Sequence, residues 1–209
     1  AKAADVGHFV YSTIYYYISK FNSLPSFKYK RQVERYLDAS GLDYTILRPT
    51  AFMEAHAGFL IGQAVLKEGN VSLFGAGENP RNFVAVDDVA RFAVMAIEGD
   101  SLNAQTIDIG GPENLTNMEV VRLYEKLAGR TVQVNHAPLW LLKVLYRVLR
   151  PMHPGLSQIM QAGIYTDTCD CTFNPAPMLA AYPLELTWLE DLAAQQVKEG
   201  RIASGMTRA

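Results

Sequence analysis

A lysine, a pair of hydroxyls and a proline-broken turn fall where an α/β protein can do chemistry. Lys30 stands on a segment of helical periodicity, at the edge of an apolar stripe read through Tyr29, Val33 and Leu37. From there its ammonium can reach over strand ends, where α/β sheets place ligands. The alternative is a surface lysine that lays its stem along apolar neighbours. Arg48-Pro49-Thr50-Ala51-Phe52-Met53-Glu54 follows a β-branched run. Pro49 removes a backbone donor and stops the strand, so Thr50 and the nearby backbone can face a ligand. Equally, this can be an ordinary strand-to-helix turn with Phe52 and Met53 in the core. Ser12-Thr13 closes an earlier strand at the same edge, where a hydroxyl can polarise a carbonyl or satisfy local backbone. What sets Ser12, Lys30 and Thr50 apart is their convergence on one end of one β-α-β unit.

Other patterns have plainer readings. Tyr16 and Lys20 spell Tyr-x-x-x-Lys, but in a loop, where helical spacing is not expected. Asp87 is read as a helix cap and Asp88 as a charge that complements the helix N-terminus. Cys169-Asp170-Cys171 with His153 lacks zinc-ligand spacing. Gly75-Ala76-Gly77 is too short and too far from a helix start to cradle a phosphate. An amphipathic helix over Pro138–Arg150, with Trp140, Leu141, Leu145 and Val148 against Lys143 and Arg147, suits packing on the main domain or a partner better than a membrane surface.

The elements that would position these residues alternate in type. A strand over His8–Ser12, a helix from about Ser26 to Ser40 stopped by Gly41, and a strand over Asp43–Arg48 predict a parallel β-α-β crossover. A helix follows from Phe52 to Glu68. Val71–Phe74 and Phe83–Val86 are read as a hairpin around the glycine turn. A helix after Asp87, a strand over Gln105–Ile109 and a helix begun by the Thr116/Glu119 capping box come next. After Gly129 a strand at Val132–Asn135 precedes the Pro138–Arg150 helix and proline-broken segments. The expected division is a main α/β domain over 1–135, a small helical lobe over 136–200 and a flexible tail over 201–209.

The chain has 209 residues, with 19 Lys+Arg against 21 Asp+Glu and 49% hydrophobic residues. That composition excludes wholesale disorder, and the near-even charge argues against a nucleic-acid footprint. Two cysteines cannot build a disulfide framework, which points to a reducing, cytoplasmic setting. No apolar run reaches the roughly 18 residues of a membrane span. The chain opens at Ala1-Lys2-Ala3-Ala4, as if in the last turn of a helix, so further residues are expected upstream.

His8-Phe-Val-Tyr-Ser, the Lys30 helix ending Tyr36-Leu-Asp-Ala-Ser-Gly-Leu-Asp-Tyr-Thr-Ile-Leu-Arg-Pro-Thr, then Phe52-Met-Glu, Phe83-Val-Ala-Val-Asp-Asp-Val-Ala and Gly110-Gly-Pro resemble the NmrA-like, atypical short-chain dehydrogenase/reductases. The resemblance is collinear over about residues 1–135. It implies the C-terminal part of a Rossmann-type parallel sheet with a small, mainly helical C-terminal lobe. It also implies NAD or NADP as cofactor, with Ser12, Thr13, Lys30, Pro49, Thr50, Ala51 and Phe52 lining the nicotinamide side of the cleft. Lys30 would orient the nicotinamide ribose, and Ser12 or a water would supply the acid for a small carbonyl or conjugated substrate. Two departures from the family pattern stand out. The glycine-rich turn that holds the pyrophosphate is absent from this sequence, and Ser26 stands where competent relatives have the tyrosine of Tyr-x-x-x-Lys. The second departure favours a non-catalytic dinucleotide-binding regulatory or assembly protein, while the family's general habit favours an oxidoreductase. A partner chain or an upstream segment is expected to pair with the His8–Ser12 strand.

Overall fold

A computed structural model describes residues 1, 4, 6–16, 24–99 and 102–206, the last six as backbone only. Lys2 and Ala3, in the opening segment read as a helix end, lie outside the described residues. Strand β1 (Phe9–Ser12) leads to helix α1 (Pro25–Asp38) and strand β2 (Tyr44–Pro49). β1 and β2 are parallel, with Phe9 opposite Tyr44 and Ser12 opposite Leu47. Strand β6 (Gln105–Ile109) adds to the far side of β2, also parallel, in the order β1-β2-β6. The chain carries this α/β arrangement because its short apolar strands are separated by amphipathic helices, which leaves parallel crossovers as the available connection.

Side-chain alternation divides the sheet's two faces. Leu47, Ile107 and Ile109 pack with Phe92 and Ala96 of helix α2 (Val86–Glu98). Tyr44 and Ile46 pack with Leu37 of α1 on the other face. The inner row of α1 differs from the stripe read in the sequence. Tyr29 is 66% and Tyr36 73% exposed, and Val33 is exposed with them, whereas Phe27, Lys30, Glu34 and Leu37 face inward. Glu34 finds charged and hydroxyl partners on the sheet side, and these partners override the apolar pattern in choosing the face.

Between β2 and α2 the chain makes strand β3 (Ala51–Phe52), then helical segments Glu54–Gly62 and Ala64–Glu68 wound wider than an α-helix. Gly69 N–H donates to Ala64 O, five residues back, at 3.1 Å. The expected hairpin does not form. Strand β4 (Asn70–Phe74) pairs in parallel with strand β8 (Gln133–Ala137). Strand β5 (Arg81–Val84) instead pairs in parallel with β3 and antiparallel with strand β7 (Asn114–Leu115). The glycine turn therefore joins two different sheets.

The capping box is present: Thr116 Oγ1 accepts from Glu119 N–H at 3.0 Å and starts helix α3 (Asn117–Ala128). Asp87 does not cap α2. Glu54 Oε1 accepts from Val86 N–H at 2.9 Å, supplying a carboxylate from 32 residues upstream. Asp88 is fully buried, where it pairs with Arg91 and accepts from Thr187 N–H and Oγ1, each at 2.9 Å.

Helices α4 (Leu139–Leu149) and α5 (Pro154–Thr168) form an antiparallel hairpin, followed by α6 (Ala176–Ala181) and α7 (Leu189–Met206). Leu189, Ala193 and Val197 of α7 enter the core around Val65, Phe83 and Tyr124. The helix runs to Met206, into the segment read as a tail.

Candidate functional site

Strand register brings the residues after Ser12 beside the end of β2. Thr13 N–H donates to Leu47 O and Tyr15 N–H to Pro49 O, both at 2.8 Å, so the chain after Ser12 stays beside the end of β2. Ser12 is exposed, and its hydroxyl has no partner among the described residues. Lys30 is half-buried on the inner row of α1 and forms no ion pair with a described residue. Ser26, one turn earlier, is exposed.

Between α1 and β2 lies a charged and aromatic cluster. Arg48 Nη2 donates to Glu34 Oε2 at 2.6 Å, and Tyr16 OH donates to Glu34 Oε1 at 2.8 Å. Arg31 and Arg48 both lie over the Tyr16 ring, at 4.4 and 5.0 Å from its centroid. Burial pushes the Tyr16 hydroxyl up to about 12; Thr13 and Arg48 pull the other way, and Glu34 adds to the rise. The phenol is thus a hydrogen-bond donor held by a carboxylate, and ionising it is costly. Lys20, the other half of the literal Tyr-x-x-x-Lys, lies outside the described residues. Burial opposes the Arg48 charge, but the Glu34 bond, with Glu34 and Asp108 nearby, outweighs it and raises the pKa. A cleft of about 460 Å³ is lined by Tyr16, Arg31, Glu34, Arg35, Arg48 and Thr106, among others. None of the predicted site residues lines that cleft.

The Pro49–Phe52 turn is held by a residue the sequence reading passed over. Asn82 is fully buried. Its Oδ1 accepts from Thr50 Oγ1 and from Gly111 N–H, each at 2.8 Å. Its Nδ2 donates to Glu113 O at 2.9 Å and to Gly111 O and Asn114 Oδ1, each at 3.2 Å. The Thr50 hydroxyl is therefore committed to the scaffold, while Ala51 and Phe52 are half-buried in β3. Gly111 has to be glycine here, because an added Cβ would collide with the Phe83 carbonyl. The one sequence signal for Asn82 is an amide immediately before the apolar run Phe83-Val84-Ala85-Val86.

The remaining patterns fall elsewhere. In the glycine turn, Gly77 N–H donates to Asp167 Oδ1 at 3.1 Å, so a carboxylate of the chain itself occupies this anion-binding position. Cys169 and Cys171 are buried thiols beside Leu24, and burial pushes the Cys171 thiol up to about 12.

Beyond the parallel sheet covered on both faces, residues 1–169 match the NmrA-like family. The chain belongs to the NmrA-like family. Within it, the chain is 32% identical over 129 residues to the photosystem II assembly factor Ycf39 of Synechocystis sp., covering 61% of this chain and 38% of that protein. It is 28% identical over 111 residues to pinoresinol reductase 1 of Arabidopsis thaliana, covering 52% and 35%. The chain spans less than half the length of the curated relatives it matches. Among solved structures, the NADPH-dependent quinone oxidoreductase QOR2 of Escherichia coli in complex with NADPH superposes with a TM-score of 0.70 at 19% identity, over 93% of this chain and 67% of that one. Triphenylmethane reductase of Citrobacter sp. in complex with NADP(H) gives 0.70 at 16%, over 94% and 67%. Both are Rossmann-type folds, and at these identities the likeness is one of fold. No described helix is long and apolar enough to cross a membrane.

Proposed function

We propose that the full-length NmrA-like protein is an NAD(P)-dependent oxidoreductase acting on a small carbonyl or conjugated substrate in a reducing, cytoplasmic compartment. The observation that carries this reading is the register of β1 on β2. Beside it, Ser12 at the end of β1 and the inward-facing Lys30 of the crossover helix are polar side chains that no described residue engages. An ammonium and a hydroxyl suit the ribose hydroxyls and carboxamide of a nicotinamide nucleotide, which when bound supplies or accepts the hydride. Lys30 would hold the ribose, with backbone from Thr13 and Pro49 to Phe52 forming the wall beside it. Ser12, or a water on it, would hold the proton destined for the substrate oxygen. The pyrophosphate would be held by upstream residues that pair with β1. Residues 1–135 would belong to the dinucleotide domain and 136–200 to the lobe over the substrate.

Titration of the full-length protein with NADH and NADPH, followed by a hydride-transfer screen, tests this. Lys30→Ala should weaken dinucleotide binding about 10- to 100-fold, the value of a charged hydrogen bond. Unchanged binding would remove Lys30 from the site. Ser26, in place of a tyrosine proton donor, favours a second reading, in which the cleft binds dinucleotide to regulate or assemble a partner. Ycf39, a relative, is an assembly factor by name. Binding without turnover in both the native protein and Ser26→Tyr would select that reading.

A further inference from the structure

The α4–α5 hairpin carries an apolar surface that the described residues leave exposed, unlike the packing on the main domain read from the sequence, and that the reading above does not use. On α4, Leu142 is buried, while Trp140 is 66% and Val148 57% exposed, with Val144 and Leu145 exposed beside them. At about 100° per residue, Trp140, Val144, Val148, Leu141 and Leu145 sweep one arc of about 140°. Lys143, Arg147 and Arg150 are all exposed and form a rib along one border of that arc. The opposite border is the buried side. Met152, Leu156 and Ile159, at the turn and on α5, are also exposed. Charge is just as one-sided: residues 126–166 hold five Lys/Arg and no Asp or Glu, in a chain whose acids outnumber its Lys+Arg.

We infer that this hairpin docks on an anionic lipid surface, with α4 lying in the plane of the interface. An apolar arc of this width bordered by cations is the arrangement that in-plane helices use, their apolar side entering the headgroup boundary and their Lys and Arg reaching the lipid phosphates. Trp140 supplies the amphipathic ring favoured at that depth. Self-association through the same face suits it less. An antiparallel two-fold contact of α4 sets its cationic rib against its own copy, and the hairpin's one carboxylate, Asp167, is held away from that rib by Gly77 N–H.

Flotation of the full-length protein with vesicles of phosphatidylcholine plus phosphatidylglycerol, against pure phosphatidylcholine, tests the inference. Binding is expected only to the mixed vesicles and should fall as salt rises. The double variant Val144→Glu/Val148→Glu should abolish it. Lys143→Gln/Arg147→Gln should weaken it about thirtyfold, the loss expected of two basic residues at a surface. All four positions are exposed, so thermal unfolding should match the native protein. Failure to float with mixed vesicles, or equal flotation with neutral ones, overturns the proposal. So does protection of the 139–159 amides that depends on protein concentration or on an acidic partner protein while vesicles have no effect.

Discussion

A primary amide offers two N–H donors and one carbonyl acceptor, and Asn82 uses both ends to join β5, the Thr50 turn and the Gly111–Asn114 segment. Truncating it leaves Thr50 Oγ1 and Gly111 N–H buried beside an empty space. Asn82→Ala should therefore cost about 2–4 kcal/mol in chemical denaturation; a loss under about 1 kcal/mol would show that the turn holds itself. His56 gives a pH signature. Burial first, and then Arg81, hold its imidazole down at about 4. Between the ordinary histidine value of about 6.5 and 4, the unfolded chain takes up a proton that the folded one refuses. Stability should thus decline as pH falls through that window and stop responding to this group below it. His56→Gln should remove about 3 kcal/mol of that decline, read from denaturation midpoints at pH 7 and pH 4. Parallel curves for the variant and the native protein would refute the assignment.

At the scale of elements, α1 decides which sequence signals can be trusted. Leu37→Lys should cost about 3 kcal/mol or more, because it puts a charge among Tyr44 and Ile46. Val33→Lys should stay within about 0.5 kcal/mol. Similar losses at both positions would restore the stripe read through Tyr29 and Val33. What the sequence made legible was local: the strands at Phe9–Ser12 and Tyr44–Pro49, the capping box at Thr116 and the stop at Gly129 each depend on residues a few positions apart. What it hid depended on distant partners. β4 and β5 looked like neighbours across a turn, yet β4 pairs with β8 and β5 with β3 and β7. The α2 cap came from Glu54 and the inward charge of α1 from Arg48, neither of which spacing within the element reveals. The candidate site divides in the same way. Lys30 and Ser12 are polar residues that stand out within their own segments, whereas Asn82 becomes meaningful only when three segments meet.

Across the whole molecule, the α4–α5 hairpin is attached unevenly. Asn79 Nδ2 donates to Thr166 O and Cys169 O, each at 2.7 Å, and Gly77 N–H donates to Asp167. Gly163 presses against the Phe74 ring so closely that a Cβ would overlap it. All of these ties fall in the last two turns of α5 and the residue after it. A beam clamped at one end bends most easily at the other, and backbone amides record that compliance as a gradient. Deuterium uptake should be slowest at residues 163–168 and rise steadily toward 152–158, although both ends belong to one continuous helical pair. Uniform protection along α5 would mean that the free end has a second anchor. With the gradient, local opening would begin at the tip around Pro151–Gly155 and stop at the seat formed by Phe74 and Gly163, leaving the β4–β8 pair beneath it intact.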